Sequence, residues 1–305
     1  MVKLSIITIN YNNAEGLRKT LASVAAQTYP NIEHIIVDGN STDGSVDVIR
    51  EYESTLASSH SPFASSLKWL SEPDKGIYNA MNKGIEIALG RRIVNSLNRS
   101  ELVEDRSKEN SIASQEYIQI LNSGDSLAAP YVTEKMVHQL SQYGESVGIL
   151  YGNMIKVNAA GKVVGKSRYT EYSLRQFYHS TLNHDCAYIR ADLFEEYGLY
   201  DESLKIVSDW KWYLQAVGLG KVKPEYVDID VTIFDNGGIS ETNLELRNKE
   251  RRKVLEELLP PAVLWDYDQH AFEMEQMNRL RRWKLYPLVY FIERVCFKLE
   301  KWFGR

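Results

Sequence analysis

The sequence is poor in three features that would each point to a particular class of protein. Its 305 residues include only two cysteines, Cys186 and Cys296, which lie far apart between apolar neighbours. No disulfide framework or CxxC metal site can be built from them. No run of about 18 uninterrupted apolar residues occurs, which argues against a conventional membrane span. The formal net charge is -5, which argues against a general nucleic-acid-binding protein.

The composition and the first residues add two expectations. Hydrophobic residues make up 44% and charged residues 25% of the chain, as in an ordinary globular protein. A chain of 305 residues can bury a large core, and it fits either one sizeable domain with an appendage or two modest domains. The segment 1–4 leads directly into an apolar run and lacks the architecture of a signal peptide. We therefore expect a cytoplasmic protein.

Short apolar runs alternate with helix-like segments over the first part of the chain. Runs typical of buried strands cover 4–9, 34–37, 67–70 and 117–121, and apolar residues at helical spacing lie between them. This alternation predicts an α/β fold with a Rossmann-like, mostly parallel sheet and helices on both faces. Ligands bind beyond the carboxyl ends of such strands, so one crevice is expected to collect Asn10, Asp38, Asp74 and Asp125.

The pattern changes at two places along the chain. The segment 91–116 is rich in Ser, Asn, Glu and Arg, which predicts a flexible insertion with at most a short helix of its own. A hairpin over 149–166 and a strand over 226–234 are expected beyond it. From Leu244 onward the spacing is mostly helical. We predict one domain over 1–240 and a helical extension over 241–305.

Three aspartates are candidates for chemistry, and each has a plainer structural explanation. Asp38 can accept hydrogen bonds from a nucleobase or a ribose, or it can be a turn residue. Asp125 can anchor Mg²⁺ or Mn²⁺ on a diphosphate, or it can end a turn after a strand. Asp209 can be a general base towards a hydroxyl, or it can cap a helix. Taken singly, these residues leave the alternatives open.

Three segments in a fixed order are more specific than any single residue. They are 5–12 (SIITINYN), 36–45 (IVDGNSTDGS) and 72–84 (EPDKGIYNAMNKG). Their order and spacing resemble the family-two inverting glycosyltransferases with the A-type fold, called GT-A. The similarity runs from Lys3 to about Ser240. This resemblance implies a GT-A domain that transfers a sugar from a nucleotide diphosphate sugar to a hydroxyl acceptor.

The resemblance also implies roles for individual residues. Asp209 falls at the position of the family's catalytic base, and Asp125 at that of a ligand to Mg²⁺ or Mn²⁺. His184 and Gly238 correspond to elements on the acceptor side or elements that close over the donor. The residues implied to bind the nucleotide sugar are Thr8, Asn10, Tyr11, Asp38, Asp74, Lys75, Gly76 and Asn122.

One departure and two alternatives bear on this function. Asn122 and Gly124 stand where the family often has acids, so a single carboxylate remains and weak metal affinity is expected without donor. A sugar-phosphate nucleotidyltransferase would show a glycine-rich, basic loop after the first strand, but residues 10–13 are Asn-Tyr-Asn-Asn. A non-catalytic, membrane-associated scaffold that binds nucleotide sugars is disfavoured because the chain has all of Asp38, Asp74, Asp125 and Asp209. The expected donor is a UDP-sugar.

The C-terminal segment 281–305 has the pattern of a basic amphipathic helix. Basic residues at 294, 298, 301 and 305 share one helical face, and apolar residues at 288, 292, 295, 299 and 302 share another. This predicts an anchor on the inner face of the cell membrane, close to a glycan or lipid-linked acceptor. The alternative is that the apolar stripe packs on the catalytic domain or on a second subunit of a homodimer.

Overall fold

The computed structural model describes residues 2–58, 66–94, 100–102, 116–158, 160–168, 172–235 and 243–303. Its strands are β1 (Lys3–Asn10), β2 (Ile32–Asp38), β3 (Lys68–Ser71), β4 (Arg92–Val94), β5 (Ser100–Leu102), β6 (Glu116–Ile120), β7 (Ser126–Leu127), β8 (Ile149–Val157), β9 (Val163–Ser167), β10 (Ala187–Arg190) and β11 (Pro224–Asp235). Its helices are α1 (Ala14–Ala25), α2 (Ser45–Ser58), α3 (Ile77–Ala88), α4 (Val132–Tyr143), α5 (Leu174–His179), α6 (Leu193–Glu196), α7 (Ser208–Tyr213), α8 (Leu244–Leu258), α9 (Pro261–Arg281) and α10 (Tyr286–Phe303).

Most of the strands form one mixed sheet. Their order is β3-β2-β1-β6-β10-β8-β11-β7, with β9 paired to β8. β3, β2, β1 and β6 run parallel. β10 then lies antiparallel between β6 and β8, whereas β11 runs parallel to β8. The predicted α/β class is confirmed. The sheet is parallel from β3 to β6 and becomes mixed beyond β6, where the antiparallel strand β10 follows.

Helices cover both faces of the parallel half because its strands are apolar on both sides. In β1, Leu4 and Ile6 join a buried cluster with Leu17 and Leu21 of α1. Successive side chains of a strand point to opposite faces, so Ile7 lies on the other face, against α3. These alternating contacts fix the position of α1 and α3 on the two sides of the sheet.

The two later regions agree with the sequence in part. The predicted hairpin is confirmed as β8 and β9, and the helical C-terminal region as α8 to α10. Within the predicted insertion 91–116, the described residues form two antiparallel strands, β4 and β5, and no helix. Residues 95–99 and 103–115 lie outside the described residues, so the flexibility of this segment stays a prediction.

The chain divides into two compact units, Met1–Arg251 and Arg252–Arg305. The first unit contains the whole sheet and α1 to α7. The second contains the end of α8 with α9 and α10. The division falls inside α8, whereas the sequence analysis predicts a boundary before this helix.

Candidate active site

A cavity of about 810 Å³ opens at the carboxyl edge of the parallel strands, and we call it the strand-end cavity. Such a volume is typical of sites for small molecules. Its walls come from the ends of β1 and β2, the segment before α3 and the turn after β6. Of the residues predicted to bind a nucleotide sugar, those that line it are Asn10, Tyr11, Asp74, Gly76 and Asn122.

Asp38 lies behind this cavity with both carboxylate oxygens occupied. Its Oδ1 accepts hydrogen bonds from Asn10 Nδ2 at 2.8 Å and Ser41 Oγ at 2.6 Å. Its Oδ2 accepts from the Ser41 backbone N–H at 2.9 Å and from Ser71 Oγ at 2.7 Å. Asp38 is also fully buried. It therefore holds Asn10 in place, which differs from the direct contact with a base that the sequence analysis expects.

Asn10 is oriented by this network. Its Nδ2 donates to Asp38 and, at 3.3 Å, to Ser41 Oγ. Its Oδ1 is buried and has no hydrogen-bond partner among the described residues. A buried acceptor without a partner is costly, because the water that it loses is not replaced. Asn10 thus carries an oriented acceptor without a partner in the described structure, and the residue lies in the wall of the strand-end cavity.

Asp74 is the acidic residue in the described lining of the strand-end cavity. Its Oδ1 accepts a hydrogen bond from the Gly76 backbone N–H at 2.8 Å, which fixes the carboxylate at the start of α3. Its Oδ2 occupies the space where a side chain at position 39 would begin, so Gly39 is needed to make room for it. The carboxylate is thereby directed to the cavity wall next to β2.

Thr8 and Lys75 do not line the strand-end cavity. Thr8 is buried, and its Oγ1 lies 3.1 Å from His34 Nε2, while His34 Nδ1 lies 3.0 Å from the Tyr52 hydroxyl. Burial lowers the pKa of His34 to about 3, so this ring is neutral and belongs to the core. Lys75 is exposed. The structure therefore does not bring Thr8 or Lys75 into the wall of the strand-end cavity, where the donor is predicted to bind.

The turn after β6 carries the predicted metal ligand, Asp125. Asn13 Nδ2 donates to the Ser123 carbonyl at 3.1 Å, and Thr20 Oγ1 donates to the Asp125 carbonyl at 2.6 Å, so the turn is fastened to α1 and its cap. In the part of the chain that the structure describes, no group of three or more His, Cys, Asp or Glu side chains could hold a metal ion. Asp125 is 5% exposed and is not among the described residues that line the strand-end cavity, so its role as a metal ligand stays a prediction.

Asp209, the predicted base, lies near the start of α7 and accepts two hydrogen bonds. Its Oδ1 accepts from the Tyr78 hydroxyl at 2.7 Å, and its Oδ2 lies 3.1 Å from His184 Nδ1. Burial by itself would raise the pKa of Asp209, but the hydrogen bond and charge of His184, with the hydrogen bond of Tyr78, lower it. Asp209 is therefore ionised at neutral pH.

His184 connects Asp209 to the strand-end cavity. Burial disfavours the charged ring, but the hydrogen bond to Asp209 and its negative charge raise the pKa of His184 to about 9. Its Nε2 lies 3.2 Å from the side-chain amide of Asn122. A charged ring donates from both nitrogens, so the amide then turns its oxygen to His184. Tyr78, Asp209, His184 and Asn122 form one continuous chain of hydrogen bonds.

A second cavity, of about 270 Å³, contains Asp209 and His184, and we call it the Asp209 cavity. Its other walls come from β8, the segment before β10 and α8. Three residues near Asp209 were not predicted from the sequence. Tyr78 lies in the segment 72–84, whereas Arg247 and Arg251 of α8 show no signal beyond their helical spacing. The predicted site residue Gly238 lies outside the described residues, so its role stays a prediction.

Sequence comparison agrees with the geometry. The family model described as Glycosyl transferase family 2 matches residues 5–97. An uncharacterized glycosyltransferase of Mycobacterium tuberculosis is 31% identical over 240 residues, which cover 77% of this chain and 76% of that protein. A PGL/p-HBAD biosynthesis glycosyltransferase of Mycobacterium bovis is 23% identical over 240 residues, covering 78% of this chain and 79% of that protein.

Two solved structures resemble the fold at low sequence identity. S. aureus TarS 1-349 in complex with UDP-GlcNAc has a TM-score of 0.57 and 17% identity, and covers 83% of this chain. This chain spans 64% of that TarS chain. A mannosyltransferase from Pyrobaculum calidifontis in complex with GDP-Man and Mn²⁺ has a TM-score of 0.55 and 14% identity, covering 100% of this chain and 88% of that one. The α/β fold, the ordered motifs and the 31% identity over most of both chains place this protein in glycosyltransferase family 2, with a GT-A fold.

Proposed function

We propose that this glycosyltransferase moves a sugar from a UDP-sugar to a hydroxyl acceptor with inversion at the anomeric carbon. The observation that carries the proposal is the chain of hydrogen bonds that joins a residue of one cavity to residues of the other. His184 touches Asn122 of the strand-end cavity at 3.2 Å and Asp209 of the second cavity at 3.1 Å. A donor in the first cavity and an acceptor in the second would therefore meet at the ionised carboxylate.

The lining of the strand-end cavity favours a nucleoside whose base has an imide N–H. Asn10 Oδ1 is an oriented acceptor without a partner in the described structure, and Asp74 adds a carboxylate on the same wall. The ring of Tyr11 is 67% exposed at the cavity and is free to stack on a base. Uracil has an N–H group that can donate a hydrogen bond to Asn10 Oδ1. Residues Asp38 and Ser41 act through Asn10 by fixing its amide.

The proposed reaction is a single displacement. Asp209 accepts the proton of the acceptor hydroxyl as its oxygen bonds to the anomeric carbon, while the bond from that carbon to the diphosphate oxygen breaks. The hydroxyl becomes acidic only as the new bond forms, so a carboxylate with a low pKa is sufficient. Tyr78 and His184 keep Asp209 ionised and aimed until this step.

Asp125 would hold Mg²⁺ or Mn²⁺ together with the donor's diphosphate, and the ion would supply positive charge to the leaving group. The mannosyltransferase with a similar fold binds GDP-Man and Mn²⁺, which supports this assignment. Asn122 and Ser123 line the cavity in the same turn and would contact the diphosphate side of the donor.

We further propose a glycan or lipid-linked acceptor that is met at a membrane surface. No helix in the described part of the chain is long and apolar enough to cross a membrane. Along α10, apolar side chains are exposed, including Leu288 at 56%, Phe291 at 65% and Trp302 at 83%. Exposed aromatic and aliphatic side chains on a helix with basic residues favour an interfacial anchor.

Acceptor-free hydrolysis tests the proposed reaction directly. UDP-glucose, UDP-galactose, UDP-GlcNAc and GDP-mannose would each be incubated with the full chain and Mn²⁺, and nucleotide release and the first sugar anomer would be followed by proton NMR. We expect a UDP-sugar to be hydrolysed to the anomer of opposite configuration. Retention would refute the inverting mechanism. Donor binding without any turnover would support the alternative of a non-catalytic scaffold that binds nucleotide sugars.

A further inference from the structure

The residues that lead to the proposed base form a segment with little regular structure of its own. We call residues 200–209 the base segment, and α7 begins only at its last two residues. Leu204, Ile206 and Val207 are buried, which holds the segment on the protein. Burial of apolar side chains has no preferred direction, so it does not fix where along its neighbours the segment lies. Hydrogen bonds can fix this, because they require particular distances and angles.

Two amide side chains of α3 hold the base segment. Asn82 is 5% exposed, and its Oδ1 accepts a hydrogen bond from the Tyr200 backbone N–H at 3.0 Å while its Nδ2 donates to the Tyr200 carbonyl at 2.9 Å. Glu202 Oε1 accepts from Asn82 Nδ2 at 3.0 Å, and Glu202 Oε2 accepts from Asn79 Nδ2 at 2.9 Å. Residues three or four apart share a helical face, so Asn79, Asn82 and Tyr78 reach the same segment.

Asn79 also holds the wall of the strand-end cavity. Its Oδ1 accepts a hydrogen bond from the Lys75 backbone N–H at 3.2 Å, between Asp74 and Gly76, which line that cavity. A second contact joins the same turn to the base segment, because Lys205 Nζ donates to the Lys75 carbonyl at 3.3 Å. One amide of α3 therefore holds both the proposed donor wall and the base segment.

The proposed base is the last contact in this series. Asp209 accepts a hydrogen bond from the Tyr78 hydroxyl at 2.7 Å, so the base segment meets α3 along two turns of that helix. A shift of the segment along α3 would move Asp209 relative to the strand-end cavity. A displacement of about 1 Å can lower the rate of an enzyme about a hundredfold.

We propose that Asn79, Asn82 and Glu202 are positioning residues, which set the place of Asp209 relative to the donor and act through it. The proposal rests on the proposed function, because it takes Asp209 as the base and the strand-end cavity as the donor site. It gives the segment 72–84 a second role beside lining that cavity, since two of its amides fix the base by hydrogen bonds.

Acceptor-free hydrolysis measures the effect of Glu202→Ala. Water replaces the acceptor, and nucleotide release from UDP-glucose, UDP-galactose and UDP-GlcNAc is followed with the full chain and Mn²⁺. For the UDP-sugar that the wild type hydrolyses, we expect kcat to fall about tenfold or more, while KM and the calorimetric affinity for UDP change less than about twofold. Glu202 is exposed and Asn82 keeps its bonds to Tyr200, so the variant should fold. Glu53→Ala removes an exposed carboxylate of α2 and should leave kcat unchanged.

A double change tests whether the contact between Asn79 and Glu202 sets the rate. Glu202→Gln places an amide NH₂ next to that of Asn79, and Asn79→Asp places a carboxylate next to that of Glu202, so each change alone should lower kcat about fivefold or more. In the double variant the new amide can donate to the new carboxylate, and its oxygen still accepts from Asn82. We expect its kcat to lie within about twofold of the wild type, as for two directly coupled residues. A merely structural contact would change denaturant midpoints and leave kcat unchanged.

The outcomes separate this proposal from the proposed function. Wild-type kcat in Glu202→Ala, or no recovery in the double variant, would overturn the positioning role while Asp209 remains the base. A higher KM or weaker UDP binding at unchanged kcat would assign these residues to the donor site and contradict the proposal. If the wild type hydrolyses no UDP-sugar, or if Asp209→Asn hydrolyses it as fast as the wild type, the proposed function fails and the positioning role fails with it.

Discussion

Asp209 keeps its negative charge through two neighbours on different elements. The Tyr78 hydroxyl and the His184 ring each occupy one carboxylate oxygen, at 2.7 Å and 3.1 Å. We expect Asp209→Asn to bind UDP-sugar normally and to lower transfer about a hundredfold or more, because a positioned general base contributes about that much. Calorimetric donor affinity and initial transfer rates measure the two effects separately.

A matched control for Asp209→Asn is available in the same compact unit of the chain. Asp192 pairs with Arg190 at 2.7 Å and lines neither of the two cavities, so Asp192→Asn should transfer at close to the wild-type rate. If Asp209→Asn behaves like this control, another residue is the base.

Asp125 is expected to matter for the metal and not for the fold of the strand-end cavity. The turn that carries it is held through backbone carbonyls, by Asn13 and Thr20, so Asp125→Ala leaves these hydrogen bonds in place. We expect the variant to lose the enhancement of UDP affinity by Mn²⁺, since it removes the one carboxylate assigned as ligand. Titrations of UDP with and without Mn²⁺ test this. An undiminished effect of Mn²⁺ would exclude Asp125 as a ligand. The control is Asp47→Ala, which changes an exposed carboxylate of α2.

His184 makes stability depend on pH above neutrality. Its pKa is raised from 6.5 to about 9 in the folded state, so the folded chain binds more protons between these values. The stabilisation is therefore complete below pH 6.5 and is lost as pH rises towards 9. We expect His184→Gln to flatten this decline in denaturant midpoints, while exposed His138→Gln leaves it unchanged. An equal slope for all three proteins would contradict the assigned pairing with Asp209.

The residues that follow strands could be predicted because local sequence determines where a strand ends. Asn10 and Asp38 follow apolar runs, and both lie at the predicted edge. Which of them lines the strand-end cavity could not be predicted, because it depends on Ser41 and Ser71, which donate hydrogen bonds to Asp38. Tyr78 and Asp209 meet although they are 131 positions apart, and neither local pattern signals the other.

At the scale of elements, the contact of α3 with β1 depends on Gly84 of α3, which has no side chain. A Cβ at Gly84 would collide with the side chain of Ile7, which is fully buried in the middle of β1. Alanine in place of glycine usually stabilises a helix by about 1 kcal/mol. Here overpacking should dominate, and we expect Gly84→Ala to lower the free energy of unfolding by about 1–3 kcal/mol.

Chemical denaturation measures this difference, and β9 provides a control. Gly165 has no atom within 4 Å of its potential Cβ, so Gly165→Ala should be nearly neutral. Because α3 begins with the segment that carries Asp74 and Gly76, a shift of α3 should also weaken UDP binding. A variant Gly84→Ala as stable as the wild type would show that α3 can move away from β1 without cost.

Local sequence patterns account for which elements could be predicted. Amphipathic spacing in α1 and continuous apolar residues in β1 and β2 identify helix and parallel strand from local sequence alone. The place of β10 between β6 and β8 could not be predicted, because its four residues carry no local signal for their partners. Its antiparallel pairing arises from tertiary contacts with these two neighbours. Strand order in the second half of the sheet was therefore beyond the sequence.

At the scale of the whole molecule, the second compact unit ends in a helix whose apolar residues are exposed. In α10, Val289, Phe291 and Phe297 are 56%, 65% and 65% exposed, and the basic side chains lie along the same helix. Burying apolar area in the headgroup region and attracting anionic lipid both favour binding, the latter by about 1 kcal/mol per basic residue. The two contributions can be separated by mutation, because they come from different side chains.

We expect the full chain to sediment with vesicles that contain phosphatidylglycerol, and a chain lacking 286–305 to stay in the supernatant. A variant with Gln at 294, 298 and 301 keeps the apolar residues and should bind these vesicles much more weakly, since it loses the attraction of three basic residues at about 1 kcal/mol each. High salt should also weaken the binding of the wild-type chain to these vesicles, because it screens this attraction. If the truncated chain sediments as well as the full chain, or if the full chain binds no vesicle, α10 is not a membrane anchor. A concentration-dependent dimer that disappears on truncation would then assign its apolar residues to a second subunit.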